Sequence, residues 1–175
     1  MALRKIVLKG DEILTKKCKE VKEITPRTAE LMRDMVETMN ANDGVGLAAP
    51  QVGVMKKLFV ARPFIGAENP EDDIIYYMIN PEILEREGEQ ESIEGCLSYP
   101  GYSGYVNRPK KIRIKAQNLE GEWNEYTFED FPAVVMCHEY DHLFGILYTD
   151  IATDVITNEE LDRILEEADT EEEEI

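Results

Sequence analysis

The segment His138-Glu139-Tyr140-Asp141-His142 contains the only two histidines of the sequence, and the expected fold is built around it. Asp130 suits the N-cap of the helix that would hold this segment, and Gly145 suits its C-terminal end. Residues i and i+4 share one face of a helix, so both imidazoles can point at one metal ion. Glu139 lies about 100° further around the helix, close enough to act on a water molecule at that ion without being a ligand.

The residues before this segment predict an apolar environment for the histidines. Phe131, Val134 and Val135 precede His138 at helical spacing and therefore share its face. An exposed helix that carries two histidines by chance would not need these apolar neighbours. The pattern indicates a metal ion at the floor of an apolar pocket.

A catalytic zinc or iron site normally takes three protein ligands and leaves one position open, so a third ligand is expected. After the histidines the chain offers only the acidic residues from Asp150 onward. Before them, Glu94-Gly95-Cys96-Leu97-Ser98 places Cys96 on a sharp turn that ends at Pro100. A thiolate suits a borderline-soft divalent metal. The other cysteines, Cys18 and Cys137, are expected to be buried structural thiols, with Cys137 pointing away from the metal.

Residues 44–53, Gly-Val-Gly-Leu-Ala-Ala-Pro-Gln-Val-Gly, match the G-x-G-x-x-A pattern of dinucleotide-binding loops only formally. A helix rather than a strand is predicted before them, and Pro50 would break the helix that should follow. The better interpretation is a tight segment that brings its backbone and the amide of Gln51 close to a ligand.

The remaining patterns predict an α+β fold: short antiparallel strands around a central metal-binding helix, with an amphipathic N-terminal helix and a C-terminal helix. Thr25-Pro26 suits a helix start, and apolar residues recur at helical spacing over 26–40. The other predicted elements are strands at 58–60, 74–79 and 146–148, a hairpin of 111–117 with 122–128, and a helix after the capping box Thr157-Asn158-Glu159-Glu160.

The chain of 175 residues is expected to form one domain, with residues 1–150 as the catalytic part and residues 151–175 as an acidic helix and tail. The segment from Asp150 onward carries twelve acidic residues and one basic residue. Its apolar residues, Leu161, Ile164 and Leu165, are expected to dock the helix on the protein's own surface. Residues 171–174 are expected to form a frayed, solvated tail.

The net charge of −18 argues against a protein that grips nucleic acid or an anionic membrane. No apolar run approaches the roughly 20 residues that span a bilayer, and the N-terminus shows no signal-peptide pattern. Three cysteines, an odd number, suit reduced thiols in the cytoplasm.

Three ordered segments resemble the motifs of the peptide deformylase family, G-x-G-L-A-A-x-Q, E-G-C-L-S and H-E-x-D-H-L-x-G. They are residues 44–51, 94–98 and 138–145, and the resemblance covers roughly residues 1–150. The chain departs from the family at Cys137, where many members have Gln. It also departs in its acidic C-terminal segment, where some members have a basic helix.

The resemblance implies that a metal-bound water removes the formyl group from the formyl-methionine of new polypeptides. It carries over Cys96, His138 and His142 as ligands of one divalent metal, with Fe2+ the usual ion and Zn2+, Ni2+ or Co2+ as substitutes. Glu139 would be the general acid/base, and Gln51 with the Leu97 N–H would be the oxyanion donors. Val45, Phe131, Val134 and Val135 would line the methionine pocket, while the backbone of Gly44, Val45 and Gly46 would pair with an extended substrate.

The implied partners are formyl-methionyl nascent peptides and, transiently, the ribosome, without direct binding to nucleic acid or membrane and with a monomeric chain. Arg108 is a candidate partner of Glu94 or Asp141 behind the ligands, although an ordinary surface ion pair fits the sequence nearly as well. Three alternative functions remain open: a different metal-dependent amidase or peptidase, a hydrolase with Cys96 as nucleophile and His138 as base, and a structural metal site. A structural site usually has four protein ligands, and only three good ones are found.

Overall fold

The computed structural model describes residues 2–173, and within that range eight strands form two antiparallel sheets. One sheet has the order β1-β2-β3-β6-β7 and the other the order β4-β5-β8. The strands are β1 (Gly46–Ala48), β2 (Leu58–Ala61), β3 (Tyr76–Glu87), β4 (Gln90–Cys96), β5 (Tyr99–Arg108), β6 (Lys111–Gln117), β7 (Trp123–Glu129) and β8 (Asp154–Thr157). The helices are α1 (Pro26–Ala41), α2 (Phe131–His142), α3 (Tyr148–Ile151) and α4 (Asn158–Glu173).

The five-stranded sheet lies between α1 and α2. Successive residues of its strands point to opposite faces, so alternate side chains pack toward each helix. In β2, Phe59 and Ala61 belong to the apolar cluster that contains the buried side of α2. Leu58 and Val60 belong to the cluster that contains α1. All four side chains are fully buried. Because both faces of the sheet are covered, the sequence of β2 is continuously apolar and does not alternate between apolar and polar residues.

Helix α1 confirms the predicted N-terminal helix. The Thr25 side chain accepts a hydrogen bond from the Thr28 N–H, and Pro26 occupies the first turn. Met32, Met35 and Met39 are fully buried against the sheet. The hairpin of β6 and β7 is also confirmed, with Lys111 opposite Glu129 and Gln117 opposite Trp123.

Helix α2 begins directly after Asp130 as predicted, but it ends at His142, before Gly145, and the Asp130 side chain does not cap it. Asp130 has a φ of 60° and makes no side-chain hydrogen bond to the helix. Its carboxylate instead pairs with the Lys110 ammonium. Gly145 has a φ of 74°, a left-handed conformation that favours glycine just after a helix.

The strand predicted at 146–148 is wrong, because Tyr148 begins the short helix α3. The chain returns to strand only at β8, which pairs with β5. Three apolar residues in a short segment do not distinguish strand from helix by pattern alone.

The C-terminal helix is present, but it does not bury the apolar residues predicted to dock it. Ile164 is 40 % exposed, Leu165 is 47 % exposed, and Leu161 is only half-buried. Helix α4 continues through Glu173 instead of fraying from residue 171, and Glu174 lies outside the described residues. Three apolar residues in an otherwise acidic helix make too narrow a stripe to seat it on a core. Across residues 2–173, no helix combines the length and the apolarity that crossing a membrane requires.

Candidate metal centre

Strand β4 and helix α2 bring together the three residues that the sequence predicts as metal ligands. Cys96 ends β4, while His138 and His142 lie one turn apart in α2. One donor atom from each residue lies within 4.8 Å of the other two. The Cys96 Sγ and the His142 Nε2 are 3.5 Å apart. The two histidines are buried, and Cys96 is partly open to the cavity described below.

This donor set fits a divalent metal of borderline softness. The Nδ1 of His138 lies 2.8 Å from the Glu94 Oε1, so that hydrogen bond leaves the Nε2 of the ring free to act as a ligand. Burial lowers the pKa of His142 well below its ordinary value, which keeps the imidazole in its neutral, ligating form. One thiolate and two imidazoles suit Zn2+, Fe2+, Co2+ or Ni2+.

Arg108 and Glu94 form a buried ion pair behind His138. The Arg108 Nε and Nη2 donate to the two Glu94 carboxylate oxygens at 2.8 and 2.7 Å, and the Nη1 donates to Asp141 at 2.6 Å. Burial alone would raise the pKa of Glu94, but the hydrogen bonds from Arg108 and His138 lower it to about 2. Glu94 is therefore ionised at neutral pH and can hold the ring of His138. Both pairings predicted for Arg108 are present, and Arg108 is not a surface residue.

Glu139 lies beside the three donors with one carboxylate oxygen free. The side chain is buried, and its Oε2 has no hydrogen-bond partner within the described residues. Burial raises the pKa of Glu139 to about 7. A carboxyl group that gains and loses a proton near neutral pH is suited to general acid/base chemistry.

Gln51 directs its amide nitrogen toward the Sγ of Cys96, one of the three donors. Its Oε1 accepts a hydrogen bond of 2.9 Å from the Ala48 N–H, which sets the orientation of the amide. Its Nε2 lies 3.4 Å from the Cys96 Sγ and donates to the Ser98 Oγ at 3.1 Å. Leu97, the next residue after Cys96, lines the same cavity. The tight-segment interpretation of residues 44–53 agrees with this geometry, since Gln51 is reached through β1 and a 3₁₀ turn.

A cavity of about 500 Å³ opens in front of these residues. Gly46 in β1 and residues 90–96 of β4 lie on its walls, and each of these strands ends its sheet. The lining includes every residue that the sequence analysis assigned to the substrate: Gly44, Val45, Gly46, Phe131, Val134 and Val135.

Part of the cavity was not predicted from the sequence. Ile93, Tyr99 and Tyr102 line it, and the two tyrosine rings stack with centroids 4.3 Å apart. They come from β4 and β5, whose pairing was not predicted. The sequence of β4 carries no matching signal, because its apolar Ile93 is exposed and its charged Glu94 is buried.

The other two cysteines are buried away from the donor set. Burial raises the pKa of Cys18 and of Cys137 to about 11. Both side chains belong to the apolar cluster around α2. This position agrees with the interpretation of both as structural thiols.

The sequence and the fold have counterparts among known proteins. The family model described as polypeptide deformylase matches residues 3–157. A peptide deformylase from Acetivibrio thermocellus is 48 % identical over 163 residues, which is 93 % of this chain and 91 % of that protein. A peptide deformylase from Thermoanaerobacter pseudethanolicus is 44 % identical over 166 residues, covering 95 % of this chain and 99 % of that protein.

The structural comparison agrees with the sequence comparison. The crystal structure of a peptide deformylase from Thermotoga maritima superposes with a TM-score of 0.81 at 37 % identity. It covers 88 % of this chain and 100 % of the Thermotoga chain. A peptide deformylase from Legionella pneumophila gives a TM-score of 0.80 at 38 % identity and covers 87 % of both chains. Because the family model matches residues 3–157 and these relatives and structures match most of its length, the chain belongs to the polypeptide deformylase family.

Proposed function

We propose that this enzyme removes the N-formyl group from the N-terminal formyl-methionine of newly made polypeptides, using one divalent metal ion held by Cys96, His138 and His142. The observation that carries the proposal is the convergence of these three donors beside Glu139, whose Oε2 has no hydrogen-bond partner among residues 2–173, at the floor of an open cavity. In this proposal α2 is the central metal-binding helix of the fold. Residues 1–150 form the catalytic part of one domain, to which residues 151–175 also belong.

A divalent metal at this site supplies Lewis acidity, which lowers the pKa of water and polarises the formyl oxygen. The residues behind the ligands serve to hold the ligands still. Glu94 accepts the Nδ1–H of His138, and Arg108 fixes both oxygens of Glu94. A histidine held in this way presents its Nε2 in one orientation and one tautomer.

Glu139 carries the proton in the proposed reaction. Its carboxylate takes a proton from the water that attacks the formyl carbon, and it then gives this proton to the nitrogen of the methionine as the C–N bond breaks. The products are formate and a free α-amino group. A pKa of about 7 suits both halves of this task, because neither protonation state is strongly favoured at neutral pH.

Gln51 and Leu97 stabilise the oxygen of the tetrahedral intermediate. The Gln51 Nε2 already points toward Cys96, and the Leu97 N–H follows Cys96 in the chain. One such donor contributes roughly 3–4 kcal/mol to transition-state binding. Both groups are held by the fold, so no reorganisation is needed when charge develops on the oxygen.

The apolar lining of the cavity receives the methionine side chain. Val134 and Val135 are buried on α2, and Phe131 stands at the open end with 52 % of its surface exposed. Val45 packs against the apolar cluster that contains Val135. The backbone of Gly44, Val45 and Gly46 is proposed to pair with an extended substrate as an added strand.

We propose a monomeric enzyme in the cytoplasm, close to the ribosome only transiently and without direct contact to nucleic acid or membrane. The strongly negative net charge supports the absence of contact with phosphate. Fe2+ is the proposed native ion. Zn2+, Ni2+ and Co2+ are proposed as substitutes, because one thiolate and two imidazoles accommodate all of them.

The test combines metal analysis with a peptide assay. The enzyme is purified without oxygen, its metal content is measured, and it is given peptides that begin with formyl-Met, acetyl-Met or free Met. We expect one metal per chain and release of formate from the formyl peptide alone. Cleavage of internal peptide bonds would indicate a peptidase instead. Activity that survives chelation but not thiol alkylation would indicate Cys96 as the nucleophile.

A further inference from the structure

Gln51 and Ser98 are linked by side chain and by backbone, and neither link involves a metal ligand. The side chains meet in the hydrogen bond of 3.1 Å from the Gln51 Nε2 to the Ser98 Oγ. Each residue is only 1 % exposed, so water does not compete with this bond. Ser98 has no assigned role in the reaction proposed above.

One short stretch of the N-terminal segment holds the backbone of both residues. The Val7 N–H donates to the Gln51 carbonyl at 2.7 Å, and the Lys9 N–H donates to the Ser98 carbonyl at 2.7 Å. Residues 7 and 9 of an extended chain point the same way along its edge. These two hydrogen bonds fix the distance between the backbones of Gln51 and Ser98, and no metal ligand takes part in them.

We propose that Ser98 is a positioning residue that holds the Gln51 amide so that one N–H of its Nε2 faces the reacting carbonyl. This inference rests on the proposed function, because it assigns a purpose to Ser98 only if Gln51 donates to the oxyanion. A positioning role differs from a general structural role because Ser98 would affect the reaction only through the Nε2 of Gln51.

The hydrogen-bond capacity of a glutamine amide explains why one more contact is needed. The amide has one acceptor oxygen and two N–H donors. The Ala48 N–H occupies the oxygen, and Ser98 occupies one N–H. The other N–H then faces the side of Cys96 by the planarity of the amide. The terminal torsion of glutamine is otherwise broad, so without Ser98 the amide nitrogen loses the partner that directs its second N–H toward Cys96.

The experiment is a double-mutant cycle of Ser98→Ala and Gln51→Ala in metal-loaded enzyme, with kcat, KM and metal content measured for each variant. We expect Ser98→Ala to lower kcat between about 10- and 100-fold, as misplacement of a reacting group does, with little change in KM. In the Gln51→Ala background the same Ser98→Ala change is expected to cost nothing further. Ser98→Thr retains a hydroxyl group and is expected to restore part of kcat.

Equal losses from Ser98→Ala in both backgrounds would overturn the proposal, and so would a normal kcat in Gln51→Ala. Thr28→Ala serves as a control, since it removes a buried hydroxyl from the start of α1, outside the cavity. It is expected to lower stability while leaving kcat unchanged.

A second measurement separates this inference from the proposed function. In the zinc-loaded enzyme, the side-chain amide of Gln51 is followed by NMR. We expect Ser98→Ala to broaden or shift its two proton signals, because the amide loses one of its anchors. Unchanged signals would overturn the positioning role even if the wild-type enzyme removes formyl groups. Failure of the wild-type enzyme to release formate would overturn the proposed function while the NMR result still tests the geometry.

Discussion

The Oε1 of Glu139 lies only 2.5 Å from the point that a Cβ atom would occupy on Gly46. Real Cβ atoms do not approach other atoms this closely, so no larger residue fits at position 46 unless Glu139 moves. The first glycine-rich motif and the histidine helix are therefore in direct contact through the proposed proton carrier. Glycine is required here for space rather than for an unusual backbone conformation.

Gly46→Ala is expected to displace the Glu139 carboxylate and lower kcat about 100-fold, because small displacements of a reacting group are costly. The added methyl group should also cost about 1–3 kcal/mol of stability by overpacking. Steady-state kinetics and thermal unfolding measure the two effects. Metal content is expected to stay at the wild-type level, because no ligand lies at position 46. A normal kcat would show that Glu139 has more room than the structure gives it.

Glu139→Gln is expected to retain the metal and lose turnover by about 10²–10⁴-fold, since an amide cannot carry a proton between water and the leaving amine. Metal analysis and kcat on a formyl-Met peptide provide the two measurements. Loss of metal from this variant would make Glu139 a ligand instead. The matched change Glu166→Gln, on exposed α4, is expected to alter neither quantity.

Cys96→Ser is expected to weaken binding of soft metals strongly, because it replaces a thiolate with a hydroxyl group that is not ionised. Cys18→Ser and Cys137→Ser provide controls of the same chemistry at buried positions outside the donor set. Metal content after dialysis against a chelator compares the three variants. The interpretation of Cys96 as a ligand fails if all three retain the same amount of metal.

The Asp34 carboxylate is expected to stabilise the enzyme only above moderately acidic pH. The Ala2 N–H and the Arg4 guanidinium donate to it and hold its pKa below the ordinary value. A carboxylate whose pKa is lower in the folded state stabilises the fold above the unfolded pKa of about 3.9, and this contribution disappears as pH falls through the folded pKa.

The measurement compares urea unfolding of the wild type and Asp34→Asn from pH 7 down to pH 2. The wild type is expected to be more stable by a constant amount near neutrality, and the difference is expected to shrink below about pH 4. A difference that grows as the pH falls would contradict the assigned direction of the pKa shift.

Removal of residues 161–175 is expected to leave deformylation of short peptides unchanged and to have little effect on stability, because no α4 side chain is fully buried and Leu161 is only half-buried. Removal of residues 154–175 is expected to be severe, because it also deletes β8 and leaves β4 and β5 as a two-stranded hairpin. Peptide assays and thermal unfolding compare both truncations with the full chain.

The deletion of residues 161–175 also tests the role of the acidic helix α4 at the ribosome. Its negative charge should be repelled by phosphate, so we expect full-length and truncated proteins to co-sediment with ribosomes equally, at low and moderate salt. Tight binding that requires residues 161–175 would contradict this expectation and indicate a basic ribosomal protein as the partner.

The elements that could be predicted from sequence are those whose signals are local. Helix α1 has a cap and a regular apolar repeat, and the hairpin of β6 and β7 has alternation on both sides of a turn. The histidine pair identified α2 by itself. Each of these features is complete within about 20 residues, so no distant partner is needed to recognise it.

The elements that could not be predicted depend on distant pairing. Strand β8 is recognisable only beside β5, some 50 residues earlier in the chain. In β4, Glu94 is charged and yet buried, because Arg108 from the neighbouring strand neutralises it. The helix α4 was predicted correctly, but the docking of Leu161, Ile164 and Leu165 was wrong, because periodicity reports a stripe and not what covers it.

Within residues 2–173, β1 and β4 are edge strands that line the cavity, and no strand pairing joins their two sheets. In the proposed substrate complex, an extended peptide in the cavity would hydrogen-bond to both edges and join the two sheets into one continuous ladder. The amide hydrogens along these two edges should then exchange with solvent far more slowly in the complex than in the free enzyme. The cavity therefore separates the two sheets, and the proposed peptide substrate would pair with both of them as an additional strand.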